Sequence, residues 1–290
     1  MNTRSSSKRL SALDRLNFVL TNRVPRALLT HFMGWFSQLR NPLVRDLSIA
    51  LWQRFGDLDL RDAKKSRFDS VHDCFTRELR DGARPVDDDP GVLVSPCDAI
   101  VGACGSVFGT DVFQAKGLAY PLEELLSNAE LARYYRDGCY ATLRLTAGMY
   151  HRFHAPHDCT VEQVTYLPGD VFNVNPSSVA LIERLYCRNE RAVIRTRLRQ
   201  GVQAITLVPV AAILVASIRL HFLDLLLHCR YRGPHRIGCT AQLSKGEEMG
   251  WFQHGSTLLV FAPRDFALCD GIATGARIRM GQRLMRRFDD

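Results

Sequence analysis

No CxxC pair and no evenly spaced cysteine framework occurs in this sequence, although nine cysteines are scattered between Cys74 and Cys269. A zinc ribbon and a disulfide scaffold are thereby excluded, and the thiols are expected to be reduced and mostly buried. Long hydrophobic runs are missing as well. The longest, ITLVPVAAILVASI over 205–218, is too short to cross a bilayer comfortably and contains Pro209, so it reads as a pair of buried strands. The N-terminal MNTRSSSKRL is not followed by an apolar core with a small-residue cleavage site. No secretory signal is therefore expected, and the cytoplasm is the default location. There is no internal repeat or low-complexity tract. There is also no GxSxG, which removes the nucleophile elbow of an ordinary serine hydrolase.

What is present suits a globular protein: 290 residues, 46% of them hydrophobic, can bury a sizeable core. The formal net charge of +8 favours an anionic partner, which charge alone leaves open among nucleic acid, an acidic substrate and an anionic lipid surface. In RALLTHFMGWFSQLR, residues Leu28, Leu29, Phe32, Phe36 and Leu39 recur at helical spacing. A second stripe carries Val44, Leu47, Leu51 and Phe55, with Trp52 at its edge. These two amphipathic helices, flanked by Arg23, Arg26, Arg40 and Arg45 and carrying Trp35, suit either packing on the main domain or lying at a lipid headgroup boundary. They define an N-terminal region over 1–65. Beyond it, over 66–290, the pattern turns to period two. Ala141, Leu143 and Leu145 alternate with Thr142, Arg144 and Thr146, and Ala192, Ile194, Thr196 and Leu198 alternate with Val193, Arg195, Arg197 and Arg199. Strands with one wet face are expected there. PLEELLSNAELARYY reads as one helical insert with Pro121 in its first turn. The fold class is α+β: N-terminal amphipathic helices followed by a mainly-β catalytic domain with a few short helices.

Side chains with chemical potential gather in three short stretches. YHRFHAPHD holds His151, His154 and His157, with Asp158 and Cys159 beside them. A metal-dependent hydrolase is one reading of that spacing. On an extended chain, however, these histidines point to alternating faces unless the chain turns at Pro156, so no metal is expected. VSPCDAIVG holds Asp98 in a small-residue turn, and HGSTLLVFAP holds Ser256 between Gly255 and the strand-like run 258–261. Gly-Ser ahead of a strand is ordinary turn chemistry. Yet a carboxylate, a histidine and a serine also make an orienter, a base and a nucleophile. If Ser256 Oγ attacks the carbonyl of Gly255, the peptide becomes an ester, and loss of the Ser256 α-proton expels the upstream carboxylate. The dehydroalanine left behind hydrolyses, with release of ammonia, to a pyruvoyl group at a new N-terminus. Glycine suits the preceding position because it has no Cβ to block the attack.

The sequence resembles the bacterial phosphatidylserine decarboxylases, pyruvoyl enzymes of phospholipid synthesis, from about Phe75 to its end. FTRELRDGARPVD, SPCDAIV, FQAKG, YHRFHAP, YLPGDVFNVN, RNER, KGEEMGWF and HGSTLLVFAP occur in the family's order. The resemblance implies that Asp98, His154 and Ser256 form a self-cleavage triad, with His154 as base and Asp98 orienting it. His151 would assist decarboxylation and protonation. Cleavage between Gly255 and Ser256 would give a β chain (1–255) and an α chain (256–290), and the pyruvoyl group made from Ser256 would form a Schiff base with phosphatidylserine. The product would be phosphatidylethanolamine, made without an external cofactor. The implied setting is peripheral, on the cytoplasmic face of the cell membrane, as a homodimer of processed heterodimers with no nucleic-acid partner. A family member that binds anionic membranes without catalysis is the alternative. Ala99 and His254 stand where the family has glycine and a small or aliphatic residue, and Ala211 and Ala216 where it tends to glycine. Ala99 disfavours a positive-φ turn after Asp98.

Overall fold

A computed structural model describes residues 26–114, 118–213, 217–228, 230–253 and 256–288. Helices α1 (Arg26–Phe36) and α2 (Pro42–Phe55) lead the described chain. The Asn41 side chain accepts from the amides of Leu43 and Val44, and Pro42 occupies the first turn, so α2 starts where the local chemistry directs. The apolar stripes of both helices are uncovered: Leu28, Phe32, Trp35, Leu43, Leu47, Leu51 and Phe55 are exposed, from 50% for Leu51 to 82% for Leu43. The edge of α2 turns inward, where Trp52 stacks on Phe75 with ring centroids 5.6 Å apart and Ile49 packs on a small core that includes Leu58 and Phe68. Phe75 ends α3 (Val71–Phe75), which Ser70 caps through the amide of Asp73.

The chain then runs through β1 (Val92–Val94), β2 (Ala99–Ser106) and the hairpin β3 (Asp111–Phe113) and β4 (Ala119–Pro121) to α4 (Leu122–Leu126) and α5 (Ala129–Tyr134). The insert is therefore two short helices. Ser127 adopts a left-handed φ of 49°, and the Asn128 side chain caps a fresh start through the amide of Leu131. Pro121 stands one place before the first turn rather than in it. There follow β5 (Cys139–Leu145), β6 (Arg152–His154), β7 (Cys159–Leu167), α6 (Pro176–Leu181), α7 (Leu185–Arg188), β8 (Arg191–Leu198) and β9 (Ala204–Val210). The last stretch holds β10 (Ser217–Leu220), β11 (Leu225–His228), β12 (Arg236–Leu243), β13 (Glu248–Phe252), β14 (Ser256–Ala262), β15 (Phe266–Leu268), β16 (Arg277–Ile278) and β17 (Arg283–Arg287). The apolar run 205–218 is thus divided between β9 and the start of β10.

An eight-stranded sheet in the order β12-β7-β8-β9-β14-β5-β2-β16 forms the body, and a four-stranded sheet, β11-β10-β13-β6, packs near it. Every pairing in the large sheet is antiparallel. The expected wet face is not wet at the centre of this sheet: Thr142 is fully buried and Val193 nearly so. Leu143, Leu145, Leu258 and Val260 pack into one core, while Tyr140, Val193, Leu259 and Phe261 pack into a second with Leu122, Leu125, Val179 and Leu185 of the helices. On the first face Thr196, fully buried on the same side as Ile194 and Leu198, satisfies its hydroxyl by donating to the Ile205 carbonyl at 2.9 Å. Arg195 and Arg197 of β8 keep partial exposure and pair with Glu162. The eight described cysteines carry free thiols, most of them buried.

Candidate active site

Ser256 opens β14, a strand whose seven residues are all buried. In register it faces Leu145 of β5, and the next residue, Thr257, lies between Arg144 of β5 and Val210 of β9. The end of β9 is pinned beside it by the RNER stretch: Asn189 Nδ2 donates to the Ala211 carbonyl at 2.9 Å, and the Ala211 amide donates to the Glu190 carbonyl at 2.8 Å. Ser256 is 0% exposed, and its Oγ has no hydrogen-bond partner among the described residues. A buried hydroxyl in that state costs roughly 1–3 kcal/mol, a state that Thr142, Ser217 and Thr257 share with it. His254 and Gly255 lie outside the described residues.

His154 ends β6, held by its own amide to the Pro96 carbonyl at 2.8 Å and by pairing with Glu248 of β13. Its Nδ1 lies 2.9 Å from the Gly246 carbonyl and its Nε2 2.9 Å from the Tyr150 hydroxyl. A carbonyl only accepts, so Nδ1 carries the proton and Nε2 is the basic nitrogen, receiving the Tyr150 O–H. Gly246 can present its carbonyl there because it turns at φ +82°, a conformation that side chains resist. Burial pushes the imidazole below its usual 6.5, partly opposed by the Gly246 hydrogen bond and the charge of Glu248. The folded chain thus refuses a proton that the unfolded chain accepts. Stability from His154 is fully present above pH 6.5 and is lost as pH falls toward the lowered value. If this residue is the base for self-cleavage, the splitting rate of fresh precursor at pH 6.5 is expected to match that at about pH 7.5. A rate halved at pH 6.5 would show an unshifted base.

Asp98 lies two residues beyond Pro96 in the same turn. Arg84 grips its carboxylate with two prongs, Nε to Oδ1 at 2.9 Å and Nη2 to Oδ2 at 2.6 Å, and the Met280 amide adds a third bond at 2.9 Å. Arg84 also reaches Asp62 at 2.9 Å. Asp98, Arg84 and Tyr150 line one cavity of about 180 Å³. Ala99 opens β2, pairing with Ile278, and has no positive φ, so this turn needs no glycine.

The neighbouring histidines go elsewhere. His151 Nδ1 bonds to the Met149 carbonyl at 2.9 Å, its ring packs 4.0 Å from that of Phe75, and its carbonyl accepts from the Phe252 amide at 3.0 Å. His157 Nε2 meets the Pro90 carbonyl at 2.9 Å. Among the described residues no group of three or more His, Cys, Asp or Glu is placed to hold a metal.

The structure therefore brings the Asp98 turn against the His154 backbone, and ties His151 through Phe252 to the strand that leads toward Ser256. Among the described hydrogen bonds, none runs directly between the Asp98 carboxylate, the His154 ring and the Ser256 hydroxyl. Sequence reasoning missed Tyr150, Gly246 and Arg84. Each sits inside a quoted motif, but only the pairing of strands distant in sequence reveals its partner. The FTRELR stretch is scaffolding: the Thr76 carbonyl accepts from Arg152, which also pairs with Glu248 of KGEEMG, and Arg77 bonds to the Gly148 carbonyl at 2.9 Å. Gly148 admits no side chain, since a Cβ there would lie 2.5 Å from the Asp57 carbonyl, so the segment after α2 rests directly on the turn before Tyr150.

Comparison with known proteins gives a single answer. The family model described as phosphatidylserine decarboxylase matches residues 71–286. A Halorhodospira halophila protein named phosphatidylserine decarboxylase proenzyme is 36% identical, with 100% of this chain and 99% of that protein covered. Proteins of the same name from Sodalis glossinidius and Pseudomonas aeruginosa are 35% and 34% identical, each covering 94% of this chain and at least 96% of their own length.

Proposed function

The chain belongs to the phosphatidylserine decarboxylase family, and from that membership we propose how its own residues make and serve the catalytic group. The protein is an enzyme that converts phosphatidylserine to phosphatidylethanolamine and carbon dioxide, and it is made as a precursor. The catalytic group is a pyruvoyl derived from Ser256. The observation that carries this reading is the Ser256 hydroxyl: fully buried, without a hydrogen-bond partner among the described residues, and at the head of a central strand. His154 takes the hydroxyl proton on Nε2, the nitrogen that Tyr150 caps at rest. Burial keeps that nitrogen neutral and ready near pH 7, and the nearby negative charge of Asp98 favours the imidazolium once formed. Ser256 then attacks Gly255, and the chain parts between them. The group supplies a ketone that condenses with the substrate amine and takes up the electron pair released as carbon dioxide leaves. His151 assists the decarboxylation and protonation steps.

The α chain stays in place after the cut because β14 is hydrogen-bonded on both sides, to β9 and to β5. Such processed pairs associate as a homodimer. No helix among the described residues is long and apolar enough to cross a membrane. The uncovered stripes of α1 and α2, with Trp35 and Phe55 exposed among them, support peripheral binding to the cytoplasmic face of an anionic membrane instead. Co-flotation with anionic vesicles is expected, and is expected to be lost when Leu43, Leu47 and Phe55 are changed to aspartate. The function is tested by incubating the processed protein with phosphatidylserine labelled in its carboxyl group. Labelled carbon dioxide and an equal amount of phosphatidylethanolamine are expected, and a split chain that releases neither would overturn the reading.

A further inference from the structure

Strand alternation puts Arg144 of β5 on the opposite face from Leu143 and Leu145, between Ile100 of β2 and Thr257 of β14. That face opens into a cavity of about 460 Å³ whose walls include Val101, Phe113, Tyr140, Val179 and Tyr186. Arg144 is half-buried among them, and its guanidinium makes no hydrogen bond or ion pair with any described residue. Burial lowers its pKa below the usual arginine value, but an arginine stays charged at any physiological pH. A cation taken partly out of water with nothing to pair with is costly, and an anionic ligand removes that cost. The rim is apolar: Phe108, 68% exposed, packs its ring 6.0 Å from Phe113, and Leu181, 43% exposed, follows the wall residue Ala180. One cation inside oily walls with an oily rim is complementary to an anionic amphiphile.

Resting on the decarboxylase reading above, we propose that Arg144 holds the phosphodiester of the phospholipid substrate at the inner end of this cavity. Ser256 pairs with Leu145, next along the strand from Arg144, though its side chain starts on the other face. Thr257, the next residue, is the one that pairs with Arg144, and cleavage would make residue 256 the free chain end ahead of it. The phosphodiester of a serine phospholipid lies only a few bonds from its amine, so anchoring the former delivers the latter to the strand end. The carboxylate is the wrong partner for this arginine. A cation on it stabilises the ground-state anion, which must lose its charge as neutral carbon dioxide departs, and so opposes the reaction. A contact to the phosphodiester is the same in ground and transition states, so it lowers KM and leaves kcat alone.

The test compares processed wild-type enzyme with Arg144→Gln and Arg144→Lys in mixed micelles. Arg144→Gln is expected to raise KM for phosphatidylserine by ~10-fold or more, with kcat within about threefold, the loss of a charge-assisted hydrogen bond. Inhibition by phosphatidylethanolamine, which keeps the phosphodiester and lacks the carboxylate, weakens by the same factor, and Arg144→Lys recovers most of both. Calorimetric binding of dihexanoylphosphatidylglycerol, which has no amine to condense, gives the same ratio without turnover. A change confined to phosphatidylserine would assign Arg144 to the carboxylate and overturn the proposal, as would an unchanged KM. If Arg144→Gln does not fold, Ala180→Glu on the cavity wall carries the test, with Ala180→Gln as the steric control. Equal constants for that pair would overturn the proposal too. A wild-type chain that splits but makes no phosphatidylethanolamine refutes the decarboxylase reading without touching Arg144.

Discussion

A chain carrying Ser256→Ala is expected to stay whole, running as one species of 32.8 kDa and releasing no phosphatidylethanolamine. The wild type is expected to give two fragments, 1–255 and 256–290, the smaller one blocked at its N-terminus and lighter by the mass change that converts serine to pyruvoyl. In the proposed mechanism the effect is all or none because the same oxygen is both the cleaving nucleophile and part of the residue that becomes the catalytic group. The substitution should not harm the fold. Ser256 Oγ is buried without a hydrogen-bond partner among the described residues, so its removal relieves a desolvation penalty, and thermal stability should hold or rise. A variant that still splits would place the cut elsewhere. A well-folded wild type that stays whole would take Ser256 out of the role of precursor.

The second large effect is expected at Arg84. Its side chain is 10% exposed and that of Asp98 11%, so the two form a buried ion pair with two-pronged geometry. Arg84→Met strips the carboxylate of its cation and leaves only the Met280 amide, a loss of about 3–5 kcal/mol. Asp98→Asn should cost less in stability, because Arg84 keeps Asp62 at 2.9 Å and the amide can still accept. Its cost should fall instead on cleavage, where the negative charge beside His154 is wanted. Adding Asp98→Asn to Arg84→Met is expected to restore part of the lost stability, since no charge is then left uncompensated. Denaturant unfolding of the three variants measures this. Strict additivity, or a double variant less stable than Arg84→Met, would show that the pair is not coupled as the geometry requires.

Much of this protein was legible in its residues. The amphipathic stripes of 28–55 predicted α1 and α2 because helical spacing is a local property, and the motif order from FTRELRDGARPVD to HGSTLLVFAP carried the family resemblance. Ser256 and Asp98 are ordinary turn residues by their local chemistry, and it was the family resemblance that joined them with His154 as a set. The insert 121–135 was misjudged as one helix because Asn128 can either continue a helix or cap a new one, and its capping bond to Leu131 decides between the two.

Other features depended on the assembled fold. Period two shows that Thr142 and Val193 share a face but says nothing of what covers it, and helices from two other stretches of the chain, 122–134 and 176–188, bury it. Strand order, which no local pattern encodes, sets Arg84 on Asp98 and Gly246 on His154, and leaves Arg144 with a cavity and no partner among the described residues. Residue types and the family resemblance nominated the candidate groups. Pairing between distant strands decided their hydrogen bonds and their burial, and so which nitrogen of His154 is basic and that the Ser256 hydroxyl is buried without a bond to any described residue.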